Sequence, residues 1–337
     1  MSETVDSTAR PRRRASSYLF RIATWLLAFG CFYVVYARTA GAAEREGLTV
    51  TRYLANFFEA ADWLSWLALM IPYSVFFFLV DAHATWRVVR WFNAPSLRFV
   101  DMLPIRASAY ILSLVNEQVG KGAMSLYLLK RYRVPGWEAL SSMILLALVE
   151  VYQLLCFAAV GLLFRGDVLS RASTQLPLDR ILRAVFVVAF LYLPLHIAYF
   201  RNRFAHASKL RDRPIFRAFR EARPLQYLLV VLFKAPTVLA GIVVYALALR
   251  LFHVPVSMAE MFACLPLIFL AAALPLPFHA GALVLWTVLF PEYPEVGIFS
   301  AVMHTFFVVM NALIGVAFLP RANKELFATV PYGASSR

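Results

Sequence analysis

Hydrophobic positions in this chain form long uninterrupted runs separated by short polar segments. About 20 apolar residues are enough to cross a 30 Å hydrocarbon core as a helix. On this criterion the sequence predicts six membrane-spanning helices, at residues 18–36, 63–80, 141–164, 184–200, 226–249 and 297–319. Two further apolar stretches, 107–129 and 258–290, are interrupted near their middle. The pattern predicts an all-α, polytopic membrane protein with about six full spans and two broken re-entrant segments.

The first interruption, residues 116–122 (NEQVGKG), places an acid, a base and two glycines between apolar flanks. Ionisable groups at membrane depth cost about 2.5–3.5 kcal/mol each, and broken backbone is tolerated there only beside protein or a wet cavity. Glu117 and Lys121 are spaced to share one helix face, and Gly120 permits a tight bend. We interpret the segment as the lining of a polar cavity, with Asn116 supplying hydrogen bonds. The alternative is the solvated face of an interfacial helix.

Three other polar residues lie within apolar sequence. Glu150 is in the middle of the third run, where a lone carboxylate must be protonated or paired. Lys234, in the fifth run, is its candidate partner. A structural ion pair and a role with substrate or protons are both open for these two residues. His279 lies in the second interruption and could relay protons or bind a headgroup; an interior hydrogen-bonded histidine is the alternative.

Composition supports a membrane protein. Of the 337 residues, 61% are hydrophobic and 15% charged, and the mean hydropathy is +0.69. The net charge of +14 could suggest nucleic acid, but the arginines lie between hydrophobic runs rather than on one soluble face. Membrane topology therefore explains them better, and no nucleic-acid partner is expected. The strongest basic cluster follows the fourth run and could contact anionic lipid headgroups; it includes Arg201, Arg203, Arg211, Arg213 and Arg217.

Basic residues also set the expected topology. They precede the first run and follow the second and fourth, which places those segments in the cytoplasm. Both flanks of the first broken stretch are basic, so it should enter and leave from the cytoplasmic side. If the second broken stretch dips from the outside, both termini are cytoplasmic. The alternative, one full crossing before Pro275, places the C-terminus outside.

This topology divides one transmembrane domain into two units of opposite orientation, the inverted-repeat plan of many transporters. A bacterial-type cytoplasmic membrane is the expected location. The expected segments are a basic tail at 1–17, the transmembrane domain at 18–324 with units 63–164 and 226–319 joined by a basic loop at 201–223, and a C-terminal tail at 325–337.

The sequence predicts neither a cofactor nor a metal site. Cys31, Cys156 and Cys264 each lie in apolar sequence without paired spacing. Motifs typical of hydrolases, metalloproteases and nucleotide-binding proteins were not found. The closest enzyme-like feature is Glu44 and Glu46 in the first external loop, which could hold a metal in an intramembrane transferase that uses a lipid-linked donor.

Several short motifs resemble a known family. They are Gly120-Lys121, the segment YLLKR at 127–131, Val134-Pro135 and Glu150 within the following helix. In this pattern the chain resembles the flippase-like membrane family that includes the transmembrane region of bacterial lysylphosphatidylglycerol synthases. In the second half, Val254-Pro255 and the PLP of 275–277 with Gly281 look like that family's Pro/Gly-rich break.

The resemblance covers roughly residues 60–320 and implies lipid translocation. The chain departs from the family pattern at Lys121 and Met124, and at residues 278–281 (FHAG), where members often carry an acid and more glycine. These departures concern the transported headgroup more than the fold.

The leading functional hypothesis is a lipid translocator, rather than an enzyme, that moves a phospholipid or polyprenyl-phosphate-type headgroup through a polar intramembrane cavity. Membrane lipids are its expected partners. The two rivals are the transferase with a metal at Glu44 and Glu46, and a non-catalytic membrane partner that docks through the basic loop. The candidate substrate-binding residues are Asn116, Glu117, Gly120, Lys121, Glu150, Lys234 and His279.

Overall fold

The computed structural model of this chain describes residues 11–115, 117–168, 178–203, 209–274 and 276–327. Within these ranges every regular element is helical. The helices are α1 (Pro11–Arg45), α2 (Val50–Ala60), α3 (Trp63–Phe92), α4 (Phe99–Val115), α5 (Glu117–Tyr132), α6 (Gly136–Phe164), α7 (Leu178–Phe200), α8 (Arg217–Glu221), α9 (Pro224–Leu251), α10 (Met258–Ala272), α11 (Ala280–Leu289) and α12 (Val296–Phe327), with 3₁₀ turns at Pro214–Phe216 and Pro277–His279.

Among the described residues, six helices are long and apolar enough to cross a membrane. They correspond to the six predicted runs and confirm an all-α, polytopic membrane protein. Most extend beyond the hydrophobic run that predicted them. For example, α3 continues well past Val80, because residues 81–92 contain neither proline nor glycine. It ends at Asn93, whose N–H bonds to the carbonyl of Val89 at 2.8 Å.

The segment expected as an external loop between the first two spans is largely helical. Helix α1 continues to Arg45, and the short amphipathic helix α2 follows. The Thr49 side chain caps α2 by accepting a hydrogen bond from the Arg52 N–H at 3.3 Å. Tyr53 of α2 donates to Glu295 Oε1 at 2.6 Å, and burial together with this carboxylate raises the pKa of Tyr53 well above its usual range. Helix α2 is thereby attached to the end of the bundle.

Each broken segment forms a helical hairpin. Met102 and Ile105 of α4 share a hydrophobic core with Met124 and Leu128 of α5. Two helices separated by one residue can share such distant contacts only if the chain reverses direction. In the second segment, the Cβ position of Gly281 lies 3.1 Å from the carbonyl oxygen of Ala271, so α11 folds back on α10.

The first helices of the two units, α3 and α9, pack against each other in antiparallel directions. At one end the Asp62 N–H donates to the Leu251 carbonyl at 3.2 Å. Further along, Lys234 Nζ lies 3.2 Å from Asp81 Oδ1. The sequence numbers increase along α3 as they decrease along α9, which is the relation expected of inverted units.

The two other extensive inter-unit contacts follow the same rule. Helix α4 packs against α12, where Gly315 lies beside Ala107, and α6 packs against α10, where Gly161 lies beside Ala263. If α3, α4, α5 and α6 exchange places with α9, α10, α11 and α12 in that order, the same pairs of helices are in contact. The packing therefore supports the inverted-repeat organisation expected from topology.

The two ends of the bundle carry different charges. At the end formed by α2 and the start of α12, a cavity of about 300 Å³ is lined by Glu46, Glu292 and Glu295. At the opposite end, Arg321 lies 4.0 Å from Asp101. At the same end, the described part of the basic loop at residues 209–223 contacts the start of α6. The contrast agrees with the expectation that the basic segments lie together on one side of the membrane.

The structure describes only part of the expected tails and of the basic loop. Helix α1 already begins at Pro11 and α12 continues to Phe327; residues 1–10 and 328–337 lie outside the described part of the chain. In the basic loop, Arg201, Arg203 and Arg213 are exposed and Arg211 is half-buried. Arg217 instead contacts Glu138 and Glu221, so its charge is largely satisfied within the protein.

Candidate functional site

Four charged side chains from four helices meet inside the bundle: Asp81 of α3, Arg106 of α4, Glu150 of α6 and Lys234 of α9. We call this group the charge cluster. Three members come from the first unit and Lys234 from the second. Lys234 lies about 15 Å from the N-terminal end of α9, at 1.5 Å per residue. The cluster is therefore at membrane depth, nearer the side of the basic loop, which directly precedes α9.

Asp81 is the centre of the cluster. Its Oδ2 accepts hydrogen bonds from Arg106 Nε at 2.6 Å and from Tyr110 Oη at 2.8 Å. Its Oδ1 faces Lys234 Nζ at 3.2 Å, and only 3% of its side chain is exposed. The Arg106 guanidinium also lies over the Tyr110 ring, 5.1 Å from the centroid. Asp81 is thus held by three donors from two units.

Lys234 joins the two carboxylates of the cluster. Its Nζ lies 2.7 Å from Glu150 Oε1, so the predicted pairing of these residues is present. The Lys234 side chain is 5% exposed, whereas that of Glu150 is 45% exposed. One side of the Glu150 carboxylate is therefore exposed, and the other faces the buried ammonium group.

The cluster is electrically neutral as a whole, with two acids and two bases. Removing a charge from water costs several kcal/mol, and attraction inside a protein offsets this only when geometry and additional hydrogen bonds are favourable. The three donors on Asp81 supply those bonds. Pairs of this kind are often no more stable than apolar residues of the same volume, which indicates that stability alone does not explain the cluster.

Sequence reasoning missed three residues of this site: Asp81, Arg106 and Tyr110. The apolar run predicts that the second span ends at Val80, and Arg106 is among the basic residues that precede the first broken stretch, where a cytoplasmic position is expected. The available signal was that helix-compatible sequence continues through 82–92, which places Asp81 inside the span rather than after it. An aspartate at that depth requires a basic partner.

The first interruption lies mostly outside what the structure describes. Asn116 is outside the described residues. The backbone of Glu117, Gly120 and Lys121 belongs to α5, but their side chains are outside the described part. Their assignment as substrate-binding residues therefore stays a prediction.

His279 lies away from the region around Lys234, in the second interruption. It has a left-handed backbone conformation with φ of 51° and precedes α11. Its ring contacts that of His304 in α12, with centroids 4.7 Å apart. His279 and His304 are thus neighbours, toward the end of the bundle where α12 begins.

The acidic cavity at that end includes only one member of the Glu44–Glu46 pair. Glu46 lines it together with Tyr53, Glu292 and Glu295. In the parts of the chain that the structure describes, no group of three or more His, Cys, Asp or Glu side chains is placed to hold a metal ion. The geometry gives the metal-dependent transferase hypothesis no support.

Comparisons with known proteins add no identity. No protein-family model matches the chain, and neither the curated proteins nor the solved structures include one that matches it.

Proposed function

We propose that this protein translocates lipids, moving an anionic headgroup past the charge cluster while the hydrocarbon tails stay in the bilayer. The observation that carries the proposal is the cluster itself, in which Asp81, Arg106, Glu150 and Lys234 meet at membrane depth. Ionisable residues inside membrane helices are rare and commonly mark substrate or ion pathways.

The position of the cluster between the units supports this proposal. Lys234 belongs to the second unit, while Asp81 and Glu150 belong to the first. In transporters built from inverted units, the substrate site lies at the unit interface near the midplane, and one unit rocks against the other. Relative motion of α9 against α3 and α6 would change which side of the membrane reaches the cluster.

The surface of the bundle is compatible with a lipid substrate. Helix α7 is apolar and contributes little to the core, because only 6% of the residues in its most hydrophobic stretch are buried. A lipid could approach the bundle from the bilayer without leaving hydrocarbon. The family resemblance at YLLKR and Glu150 is in line with this proposal, and the sequence offers no nucleotide-binding motif, so translocation would be downhill or ion-coupled.

The test is lipid translocation in proteoliposomes. Wild-type protein and a Lys234→Met variant are reconstituted into phosphatidylethanolamine and phosphatidylglycerol liposomes that contain acyl-labelled phosphatidylglycerol. We expect the variant to lose at least tenfold in rate, because the headgroup loses its ammonium partner. Asp81 keeps Arg106 and Tyr110 in this variant, so the fold should survive.

An Arg250→Met variant is the matched control. It removes a cation from the same helix at an exposed position in the last turn of α9, and its transport rate should equal that of wild type. A Lys121→Ala variant in the same assay tests the first interruption. Absence of transport by correctly inserted wild-type protein, for phosphatidylglycerol and for polyprenyl phosphates, would reject the translocator.

The proposed membrane orientation places both termini and the basic loop in the cytoplasm. In protein whose three native cysteines are replaced by alanine, a membrane-impermeant maleimide added to intact cells should label Glu59→Cys in α2 but not Arg213→Cys in the basic loop. Both positions are exposed. Labelling of Arg213→Cys alone would reverse the topology, since basic loops are normally retained inside.

A further inference from the structure

The two carboxylates of the charge cluster are held very differently. Asp81 accepts from three donors and is almost completely buried. Glu150 is held by Lys234 and has nearly half of its side chain exposed. Breaking the contact of Glu150 would free a side chain that is already half exposed, whereas breaking those of Asp81 would leave a buried charge without partners. Glu150 is therefore the member of the charge cluster that can separate from its partner, Lys234.

We propose that Glu150 is a displaceable counter-ion, and that a headgroup phosphate with one negative charge takes its place beside Lys234. This inference rests on the proposed function and names the substrate class of the same site. Without Glu150, the remaining members are Arg106, Lys234 and Asp81, with a net charge of +1. A singly charged phosphodiester restores neutrality, while a zwitterionic or cationic headgroup does not.

The chemistry of the partners fits a phosphate. The ammonium group of Lys234 is a compact charge that pairs with phosphate as readily as with carboxylate. Its Nζ already has an anionic oxygen at 2.7 Å in Glu150. Arg106 remains directed at Asp81 and contributes charge rather than a direct contact. The Glu150 carboxylate thus occupies the position that a phosphate oxygen would take.

A second observation supports a ligand at this place. Gln153 lies three residues after Glu150 on α6, on an adjacent part of the same helix face. Its side chain is only 1% exposed, yet among the described residues its Nε2 has no hydrogen-bond partner. Buried polar groups are normally paired. A phosphate that replaces Glu150 would supply an acceptor for this amide.

The inference predicts a specific signature for Glu150→Gln. The amide keeps the shape of the side chain but no longer competes for Lys234, so the affinity for a singly charged phosphate lipid should rise at least tenfold. Because the counter-ion that expels the headgroup is gone, transport should become slower. Tighter binding combined with slower transport is not expected of a residue that only stabilises the fold.

The experiment measures equilibrium binding of dihexanoyl phosphatidylglycerol to purified protein in non-ionic detergent. Dihexanoyl phosphatidylcholine tests the charge requirement, and inorganic phosphate tests whether the lipid is needed. Glu138→Gln is the matched control, since it makes the same change on the same helix at a carboxylate that pairs with Arg217. Its affinity should equal that of wild type.

The outcomes separate this inference from the proposed function. Unchanged or weaker binding by Glu150→Gln overturns the counter-ion role, even if transport still depends on Lys234. Equal binding of phosphatidylcholine overturns the charge requirement. Tighter binding in a protein that moves no lipid supports the counter-ion role and rejects the translocator. If inorganic phosphate binds as tightly as the lipid, the site recognises free phosphate rather than a headgroup.

Discussion

An Asp81→Asn protein should lose about 3–5 kcal/mol of unfolding free energy, the cost of removing one partner from a buried ion pair. The substitution keeps the shape of the side chain but removes the only fully buried anion of the cluster. Arg106 and Lys234 then share the single, half-exposed carboxylate of Glu150. Unfolding of the purified protein in mixed micelles with increasing denaturing detergent measures the loss.

Asp101→Asn provides the control for this effect. Asp101 also pairs with arginines, Arg98 and Arg321, but their side chains are 77% and 50% exposed. Exposed pairs contribute about 0–1 kcal/mol, so this variant should unfold close to wild type. Equal stability of the two variants would show that the charges of the cluster are solvated and would remove the basis of the proposed site.

Gly161→Val should produce the second large loss of stability, about 3 kcal/mol, at the upper end of the range for overpacking. A Cβ at Gly161 would lie 2.6 Å from the Ala263 Cα and 2.7 Å from the Phe262 carbonyl oxygen. These are backbone atoms, which cannot move aside as a flexible side chain can. Helix α6 must separate from α10, and with it the first unit from the second.

The same detergent unfolding experiment tests this prediction. The control is Gly30→Val, because no atom outside the local helix lies within 4 Å of a Cβ at Gly30. Helix propensity changes equally in the two variants, so the difference between them measures the contact with α10. If Gly161→Val is no less stable than Gly30→Val, the close approach of the two units is wrong.

Local sequence patterns were sufficient for part of this architecture. The six spans follow from runs of apolar residues, which reflect the cost of leaving backbone or charge in hydrocarbon. The two broken segments follow from polar or Pro/Gly residues inside such runs. The arginines predict opposite orientations for the two units, and the contacts at Asp62–Leu251 and Asp81–Lys234 show that α3 and α9 are antiparallel.

The composition of the site was only partly predictable. Glu150 and Lys234 stand out because each is an isolated charge inside an apolar run. Asp81 and Arg106 lie near the ends of such runs, where a charge usually faces water. Only the packing of α3 against α4 and α9 shows that they are buried together, and contacts between such distant residues leave no trace in local periodicity.

The neutrality of the charge cluster has an electrical consequence. Because its two acids and two bases cancel, any movement that carries the cluster as a whole transfers no net charge through the membrane field. The potential, worth about 2.3 kcal/mol per elementary charge per 100 mV, would then act on the headgroup alone. A lipid with one negative charge would be driven outward by an inside-negative voltage. The return of the empty protein, with Glu150 again paired with Lys234, would not depend on the voltage.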